Sequence, residues 1–247
     1  MPDAFIRYRG LHKSFGDNAV LRGVDLDVRA GETVVVLGGS GSGKSVLLRH
    51  TMGLHVPDRG EVWVDGVEIS GLDEDELLPT RKKVGMLFQA GALFDSMSVF
   101  DNVAFALREH TDWNDERIRD RVLEVLSLVE LENVLELMPS DLSGGMRKRV
   151  ALARAIVLAP RAILYDEPTT GLDPIIANTI NHLIRSLQER LGVTSIVVTH
   201  DIHSAFSVGD RIAFLHEGRI LFDGSVSDAR EAREPLLRNF LQGGGYA

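Results

Sequence analysis

Apolar and polar residues alternate along the first part of this chain with the rhythm of β-strands. Residues 24–28 alternate one for one, which is the period of a half-buried strand. Residues 33–37 form a β-branched run, which is typical of a strand buried on both faces. Residues 61–69 and 212–222 each show two short strand patterns joined by a glycine-containing turn. These patterns predict strands near the beginning of the chain and again near its end.

The rhythm changes to that of α-helices between residues 90 and 158. Over residues 116–131, apolar side chains recur three and four positions apart and line one face of a helix. These side chains are Ile118, Val122, Val125, Leu126 and Val129. Beyond residue 158, apolar strands and helical segments alternate again, which is the order of an α/β fold.

These patterns predict one α/β domain over residues 1–247. Residues 1–89 and 159–247 are expected to form a nucleotide-binding core with an N-terminal antiparallel β-subdomain. Residues 90–158 are expected to form a helical subdomain inserted into that core. A single domain of this length can bury a substantial apolar interior.

A glycine-rich segment follows the strand pattern at 33–37 directly, and a helical pattern follows the segment. Residues 38–45 match the phosphate-binding motif G-x-x-x-x-G-K-[ST] at every defined position. Glycines allow successive N–H groups to point at a phosphate, and the helix adds the positive end of its dipole. Lys44 is predicted to bind the outer phosphates, and the Ser45 hydroxyl to bind Mg²⁺. The predicted nucleotide-binding residues here are Gly38, Gly39, Ser40, Gly41, Ser42, Gly43, Lys44, Ser45 and Val46.

Polar residues also end three other apolar strand patterns. Asp166 and Glu167 end the pattern at 162–166, and a carboxylate there is costly unless it is paired or linked to a metal. We therefore predict that Asp166 holds the Mg²⁺ bound to Ser45, and that Glu167 polarises the attacking water. His200 is expected at the same edge of the sheet, where it either senses the γ-phosphate or serves as an ordinary loop histidine. Gln89 is a candidate ligand of the metal or the water.

Residues 143–145, Ser-Gly-Gly, precede another helical pattern. Serine is a favoured helix N-cap, and capping alone is one interpretation of this segment. Two glycines after the cap lower helix propensity, which favours the close approach of a phosphate to the backbone of Ser143, Gly144 and Gly145. Since Lys44 and its neighbours enclose the phosphate site of their own chain, a nucleotide on a second copy is the better target. The basic residues 147–149 are interpreted as a solvated face.

Composition narrows the classes of partner. A net charge of −9 argues against nucleic acid as the main partner, because a phosphate backbone requires a basic surface. The sequence has no cysteine, which excludes disulfides and thiol catalysis. No run of apolar residues is long enough for a bilayer span, and the first nine residues lack a signal-peptide core. We expect a cytoplasmic chain that reaches membranes through a partner, and a frayed end at residues 243–247.

Together these motifs resemble the nucleotide-binding subunit of ATP-binding cassette (ABC) transporters over nearly the whole chain. The resemblance implies a P-loop NTPase fold with a RecA-like core, ATP and Mg²⁺ as ligands, and hydrolysis of ATP to ADP and phosphate. It makes residues 142–146 the family signature, with Met146 where glutamine is commonest. It makes Asp173 part of the D-loop, Gln89 the glutamine loop and His200 the switch histidine. Phe15 falls at the adenine-stacking position, although packing in the core is an equally good physical interpretation.

Four strings are similar to the ATPases of the Mla/Mce phospholipid-transport systems, at 86–94, 99–104, 107–111 and 142–149. This similarity implies a homodimer on the cytoplasmic face of the inner membrane, beneath an integral-membrane permease. The implied companions are a periplasmic lipid-binding Mce-domain protein and, as a further candidate, a small STAS-domain regulator. The surface near residues 89–94 would receive a coupling helix of the permease, although core burial also explains its apolar residues.

We therefore predict two copies that enclose two ATP molecules head to tail and so drive a permease. Lys44, Ser45 and Asp166 of one copy would face Ser143 and Gly145 of the other. The alternative within the class is an importer of amino acids or another small solute. A DNA-repair ATPase would need a long coiled coil, and a translation ATPase would need two cassettes; neither pattern occurs here. A small-molecule kinase would have no use for residues 143–145.

Overall fold

The computed structural model describes residues 4–243, so the end predicted to fray lies outside the described residues apart from Gly243. Two β-sheets and the helices around them account for most of this range. The strands are β1 (Ala4–Phe15), β2 (Asn18–Arg29), β3 (Thr33–Leu37), β4 (Arg59–Val64), β5 (Val67–Glu68), β6 (Val84–Leu87), β7 (Ala162–Asp166), β8 (Thr194–Thr199), β9 (Arg211–His216) and β10 (Arg219–Ser225). The α-helices are α1 (Lys44–Thr51), α2 (Glu74–Arg81), α3 (Val99–His110), α4 (Asp115–Leu128), α5 (Gly144–Ile156), α6 (Pro174–Leu191), α7 (Ile202–Val208), α8 (Val226–Arg230) and α9 (Pro235–Leu241).

The smaller sheet is antiparallel and has the strand order β2-β1-β4-β5. The larger sheet has the order β10-β9-β3-β8-β7-β6, and its strands are parallel except for β10. The predicted antiparallel pairs at 61–69 and 212–222 are both present. The α/β fold with an antiparallel β-sheet and helical parts is confirmed.

Strand β3 shows why a β-branched run was needed in the middle of the large sheet. All five of its residues are buried. Val34 and Val36 pack into the apolar cluster shared with the antiparallel sheet, whereas Val35 and Leu37 pack into the cluster shared with the helices. Alternate side chains of a strand point to opposite faces, so this strand joins two apolar layers. The glycine-rich segment that follows is thus fixed to the centre of the fold.

Helices α3, α4 and α5 occupy the chain between β6 and β7. The apolar stripe predicted within 116–131 lies in the core, and all five of its side chains are buried. Ser98, Asn114 and Ser143 cap the amino ends of the three helices with their side-chain oxygens. The limits of this segment as a separate subdomain, 90 and 158, stay a prediction. Within residues 4–243, no helix combines the length and apolar character that crossing a bilayer requires.

Candidate functional site

One edge of the large sheet collects most of the residues that the sequence singles out. The glycine-rich loop follows β3, Asp166 ends β7 with Glu167 directly after it, and His200 follows β8. These three strands are neighbours and run parallel, so their carboxyl ends meet. We refer below to the sheet-edge cluster, which consists of Lys44, Ser45, Asp166, Glu167 and His200.

The glycine-rich loop wraps around its own lysine. Lys44 is 6% exposed, and its ammonium donates hydrogen bonds of 2.9 Å to the carbonyls of Gly38 and Gly39. Burial lowers the pKa of Lys44, and the carboxylate of Glu167 opposes this change. Gly43 caps α1 with a φ of +105°, a backbone conformation that only glycine adopts without strain. The main-chain carbonyls of the loop therefore hold the ammonium of Lys44 at the start of α1.

Two carboxylates complete the cluster. The Ser45 hydroxyl donates a 2.7 Å hydrogen bond to Asp166, whose pKa is raised by burial. Glu167 is 7% exposed, and its Oε1 lies 3.5 Å from the Lys44 ammonium. Nδ1 of His200 lies 3.0 Å from both Glu167 oxygens. The five predicted residues thus form two contact sets side by side, Ser45 with Asp166 and Glu167 with Lys44 and His200.

Two further residues, not predicted from the sequence, donate hydrogen bonds to Glu167. The hydroxyls of Thr170 and Thr199 donate hydrogen bonds of 3.1 and 3.3 Å to its Oε2. Thr170 lies three residues after Glu167, which is the spacing at which a short polar side chain can bond back to a turn. Thr199 ends β8, immediately before His200. Thr199 could have been predicted from the sequence, because it stands at the carboxyl end of a parallel strand.

The interpretation of residues 147–149 as a solvated face is wrong for Lys148, whereas Arg147 is exposed and Arg149 is half-buried. Lys148 is 6% exposed, and its ammonium bonds to the main-chain carbonyl of Gln89 and lies 3.5 Å from that of Glu167. Arg147 donates a 2.5 Å hydrogen bond to the carbonyl of Leu142, and Arg149 a 3.2 Å hydrogen bond to that of Glu130. The apolar face of α5 packs into the core, and Lys148 is buried with it, while Arg147 and Arg149 bond to carbonyls from less buried positions.

The signature segment, residues 142–146, has a different environment. Ser143 is exposed, and its hydroxyl accepts a hydrogen bond of 3.2 Å from the amide of Met146, so this serine caps α5. Gly145 is buried against α6, where an added Cβ would lie 2.7 Å from Cγ2 of Ile176. Asp173 caps α6 through hydrogen bonds of 3.0 Å from Ile175 and Ile176. Each of these predicted residues thus has a local structural role in its own chain.

Two remaining candidates stand apart from the cluster. Gln89 is exposed and lies two residues after β6 ends. Within residues 4–243, it makes no direct hydrogen bond to a residue of the sheet-edge cluster. Phe15 is 45% exposed at the end of β1, so the interpretation of this ring as core packing is wrong. Its ring meets that of His55 edge to face, with 5.3 Å between centroids. Phe94 is likewise exposed, whereas Leu93 is half-buried against the core.

Comparison with known proteins gives one consistent family. The protein family described as ABC transporter matches residues 21–170. The chain is 43% identical to a protein from Mycobacterium leprae named probable ribonucleotide transport ATP-binding protein mkl, over 96% of this chain and 69% of that protein. It is 41% identical to the intermembrane phospholipid transport system ATP-binding protein MlaF of Haemophilus influenzae, over 98% of this chain and 92% of that protein.

A solved structure shows the same architecture. The ATP-binding cassette MJ0796, solved as a dimer in a post-hydrolysis state with ADP and Pi, superposes with a TM-score of 0.82. It is 36% identical in sequence, and the match covers 90% of this chain and 98% of that one. The family match extends over more than half of the residues, and the sheet-edge cluster has the composition of a phosphate-binding site. The chain therefore belongs to the ABC transporter family and is an ATP-binding ATPase of such a transporter.

Proposed function

We propose that this ATPase powers the movement of phospholipid between two membranes, and that two copies of the chain close around ATP to do so. The observation that carries the catalytic part is the sheet-edge cluster. A lysine, a serine, two carboxylates and a histidine from three parallel strand ends meet there, and each has a polar contact of 2.7 to 3.5 Å with another member. Groups of these types at one edge of a parallel sheet suit a nucleoside triphosphate with its metal ion.

Lys44 is assigned to the β- and γ-phosphates, where its charge would offset theirs. Its present acceptors are two main-chain carbonyls, which compete weakly with a phosphate oxygen for an ammonium group. The N–H groups of residues 38–46 form the rest of the phosphate cradle in this proposal. Phe15, exposed at the end of β1, offers its ring to the adenine.

Ser45 and Asp166 fit a magnesium ion. Their side-chain oxygens lie 2.7 Å apart, and hydroxyl and carboxylate oxygens are the hard ligands that Mg²⁺ prefers. Such an ion would neutralise charge that develops on the β- and γ-phosphate oxygens. Gln89 is the third metal candidate in this proposal, and its exposed position requires the segment after β6 to close over the site.

Glu167 is proposed to orient and polarise the attacking water. Thr170, Thr199 and His200 contact its carboxylate and fix its direction, which is what a general base requires before pKa matters. His200 is exposed and lies next to the carboxylate, so it is suited to contact the γ-phosphate and to respond when that group leaves. These contacts support the assignment of Glu167 as the base, because they fix the direction of its carboxylate.

The signature segment is proposed to act on the nucleotide of the other copy. Ser143 is exposed at the amino terminus of α5, which is a favourable place for an anion. Asp173 lies close by at the start of α6 and would face the partner. The dimeric cassette with ADP and Pi supports an arrangement in which two chains share nucleotide.

The cargo is inferred from the relative that is matched over most of its length. MlaF of Haemophilus influenzae is named as part of an intermembrane phospholipid transport system, and this chain covers 92% of it. By this inference the chain sits on the cytoplasmic face of the inner membrane under a permease. A lipid-binding Mce-domain protein and a STAS-domain regulator would complete the assembly, and nucleic acid would not take part. The Mycobacterium leprae relative, named for ribonucleotide transport, makes a soluble cargo the competing possibility.

Replacing Glu167 by glutamine tests the catalytic part. The variant keeps the shape of the side chain but cannot accept a proton from water, so turnover should fall by at least ~10²-fold. It should still bind ATP and should accumulate as a stable ATP-bound dimer, seen by size-exclusion chromatography with light scattering. Turnover equal to that of the wild type would remove Glu167 from this role.

Purification of the native complex tests the cargo. The chain carries an affinity tag, and its companions are identified by mass spectrometry with the bound lipids extracted and analysed. A permease together with an Mce-domain protein and phospholipid is the expected result. A soluble solute-binding protein in their place would overturn the phospholipid assignment and leave the ATPase assignment standing.

A further inference from the structure

Helices α3, α4 and α5 are called the helical segment below. Lys148 belongs to this segment and is buried where α5 meets the sheet-edge cluster. It lies in the second turn of α5, the helix that begins within the signature segment, and it is 6% exposed. Its ammonium donates to the main-chain carbonyl of Gln89 and lies 3.5 Å from the carbonyl of Glu167. One side chain of the helical segment therefore contacts two loops at the sheet edge.

The charge of this residue is expensive where it lies. Burial lowers the pKa of Lys148, and the carboxylates of Asp166 and Glu167 only oppose that change from a distance. Its hydrogen-bond partners within residues 4–243 are carbonyl groups, not carboxylates. A methionine would fill the same volume without the cost of desolvating an ammonium. The contacts with the two carbonyls are what a methionine would lose.

The carbonyl of Glu167 is significant because this residue has a strained main chain. Its φ is +48°, in the left-handed region, which is strained for a residue with a Cβ. Its amide donates to Val198 at 3.0 Å, and its carbonyl accepts from the amide of Thr170 at 3.3 Å. Lys148 adds a charged donor on the same carbonyl. Since the main chain aims the side chain, holding this carbonyl also holds the direction of the carboxylate.

A second cation of the same helix provides a comparison. Arg154 donates hydrogen bonds of 3.1 Å and 2.8 Å to the carbonyls of Gly91 and Ala92. Helix α5 thus contacts the loop at residues 89–92 through both Lys148 and Arg154. Lys148 also approaches Glu167, which lies outside that loop.

We propose that Lys148 is a positioning residue that ties the orientation of the helical segment to the catalytic direction of Glu167. When α5 and the loop at 89–92 move together against the sheet, the bond from Lys148 carries that movement to the main chain of Glu167. Hydrolysis then depends on the position of the helical segment. The proposal rests on the proposed role of Glu167 in polarising the attacking water.

The test compares Lys148→Met with Lys148→Gln in the full-length chain. Methionine keeps the volume and the helix propensity but cannot donate, whereas the glutamine amide can still donate to a carbonyl. Lys148→Met should lower kcat about tenfold while KM for ATP and the affinity for a fluorescent ATP analogue change less than about twofold. Lys148→Gln should retain at least about a third of the wild-type kcat. Thermal unfolding of each variant shows that the fold is intact.

Arg154→Met is the matched control. It removes the other cation of α5 that contacts this loop, and it should keep kcat within about twofold of the wild type because it leaves Glu167 untouched. Wild-type kcat in Lys148→Met, or an equal loss in Arg154→Met or Lys148→Gln, would overturn the positioning role. A wild-type chain that fails to hydrolyse ATP in the same assay would instead overturn the proposed function of the cluster.

Discussion

The sheet-edge cluster and the signature segment are built in opposite ways. In the cluster, each residue has a polar contact with a member from a different strand end, and Lys44, Asp166 and Glu167 are buried. In the signature segment, Ser143 is exposed and bonds within its own helical turn. The cluster residues contact one another inside one chain, whereas the exposed serine is accessible to a ligand from outside the chain.

The difference shows what each segment needs from its surroundings. Buried charges must be paired in the same chain, because an unpaired one would destabilise the fold. An exposed helix amino terminus remains solvated until an anion reaches it, so the fold places no demand on that contact. Changes in the cluster should therefore affect the fold as well as catalysis, and a change at the exposed Ser143 should affect assembly more than the fold.

Ser143→Arg should produce the largest loss confined to one function. The long side chain would occupy the position that faces the partner's phosphates, so ATP-driven dimerisation should be abolished. Binding of a single ATP to the monomer should persist, because the cluster is unchanged. Light scattering with and without ATP, in a background where Glu167→Gln blocks hydrolysis, measures the first effect, and a fluorescent ATP analogue measures the second.

Mixing two inactive variants sharpens this test. Lys44→Ala damages the cluster, and Ser143→Arg damages the segment that serves the partner. A head-to-tail heterodimer of the two has one site with both parts intact, so the mixture should regain up to about a quarter of wild-type turnover. An ATP-dependent Ser143→Arg dimer, or a mixture with no more activity than its components, would contradict the shared site.

The sequence predicted the cluster well because its signals are local and short. The phosphate-binding motif, the acidic pair after an apolar strand and His200 after another strand each needed only a few residues. The sequence did not give the strand order, and the structure brings them together because β3, β8 and β7 are parallel neighbours. The apolar stripe of α4 was equally readable, because its period is fixed by the helix.

The failures came from features that depend on packing between distant segments. Lys148 looked like part of a solvated basic run, and only the position of α5 against Gln89 and Glu167 makes it buried. Helix α2 was not predicted, since Pro79 interrupts an already short pattern. Its signal was the capping box of Asp73 and Glu76, in which each side chain bonds to the other residue's amide.

The free energy of unfolding should depend on pH through His50, which lies on the buried face of α1. Burial lowers the pKa of His50 to about 4, and its Nε2 has no hydrogen-bond partner within residues 4–243. In the unfolded chain His50 binds a proton near pH 6.5, whereas in the fold it stays neutral down to about pH 4. The stability that the neutral His50 allows is therefore fully present above pH 6.5 and is lost as pH falls toward 4. The loss should reach up to about 3 kcal/mol.

Urea unfolding of the wild type and His50→Leu between pH 7 and pH 4 measures this loss. The variant should show a shallower decline in the free energy of unfolding, since it lacks the titrating group. His110→Leu, which removes an exposed histidine at the end of α3, controls for the substitution itself. Parallel declines in the wild type and His50→Leu would show that the neutral histidine is not what limits acid stability.

A smaller loss of stability is expected from Gly38→Ala at the start of the glycine-rich loop. An added Cβ would lie 2.3 Å from the carbonyl oxygen of Leu215 and 2.9 Å from the hydroxyl of Ser42. Leu215 belongs to β9, beside β3, so the main chain of the sheet would have to move. We expect a loss of about 2 kcal/mol in the free energy of unfolding and weaker ATP binding. Unchanged stability and affinity would mean that the loop is less tightly held than the cluster's contacts indicate.

The matched change in the signature segment, Gly145→Ala, should have the smallest effect on the fold. Its Cβ would lie 2.7 Å from the Ile176 side chain, which is half-buried and can shift, and alanine favours the helix where glycine opposes it. These effects nearly cancel, so stability should change by less than about 0.5 kcal/mol. If the partner's phosphate must approach this backbone, ATP-driven dimerisation should nevertheless weaken. A chain destabilised by about 2 kcal/mol or more, with dimerisation lost in proportion, would show that Gly145 serves the packing of its own chain.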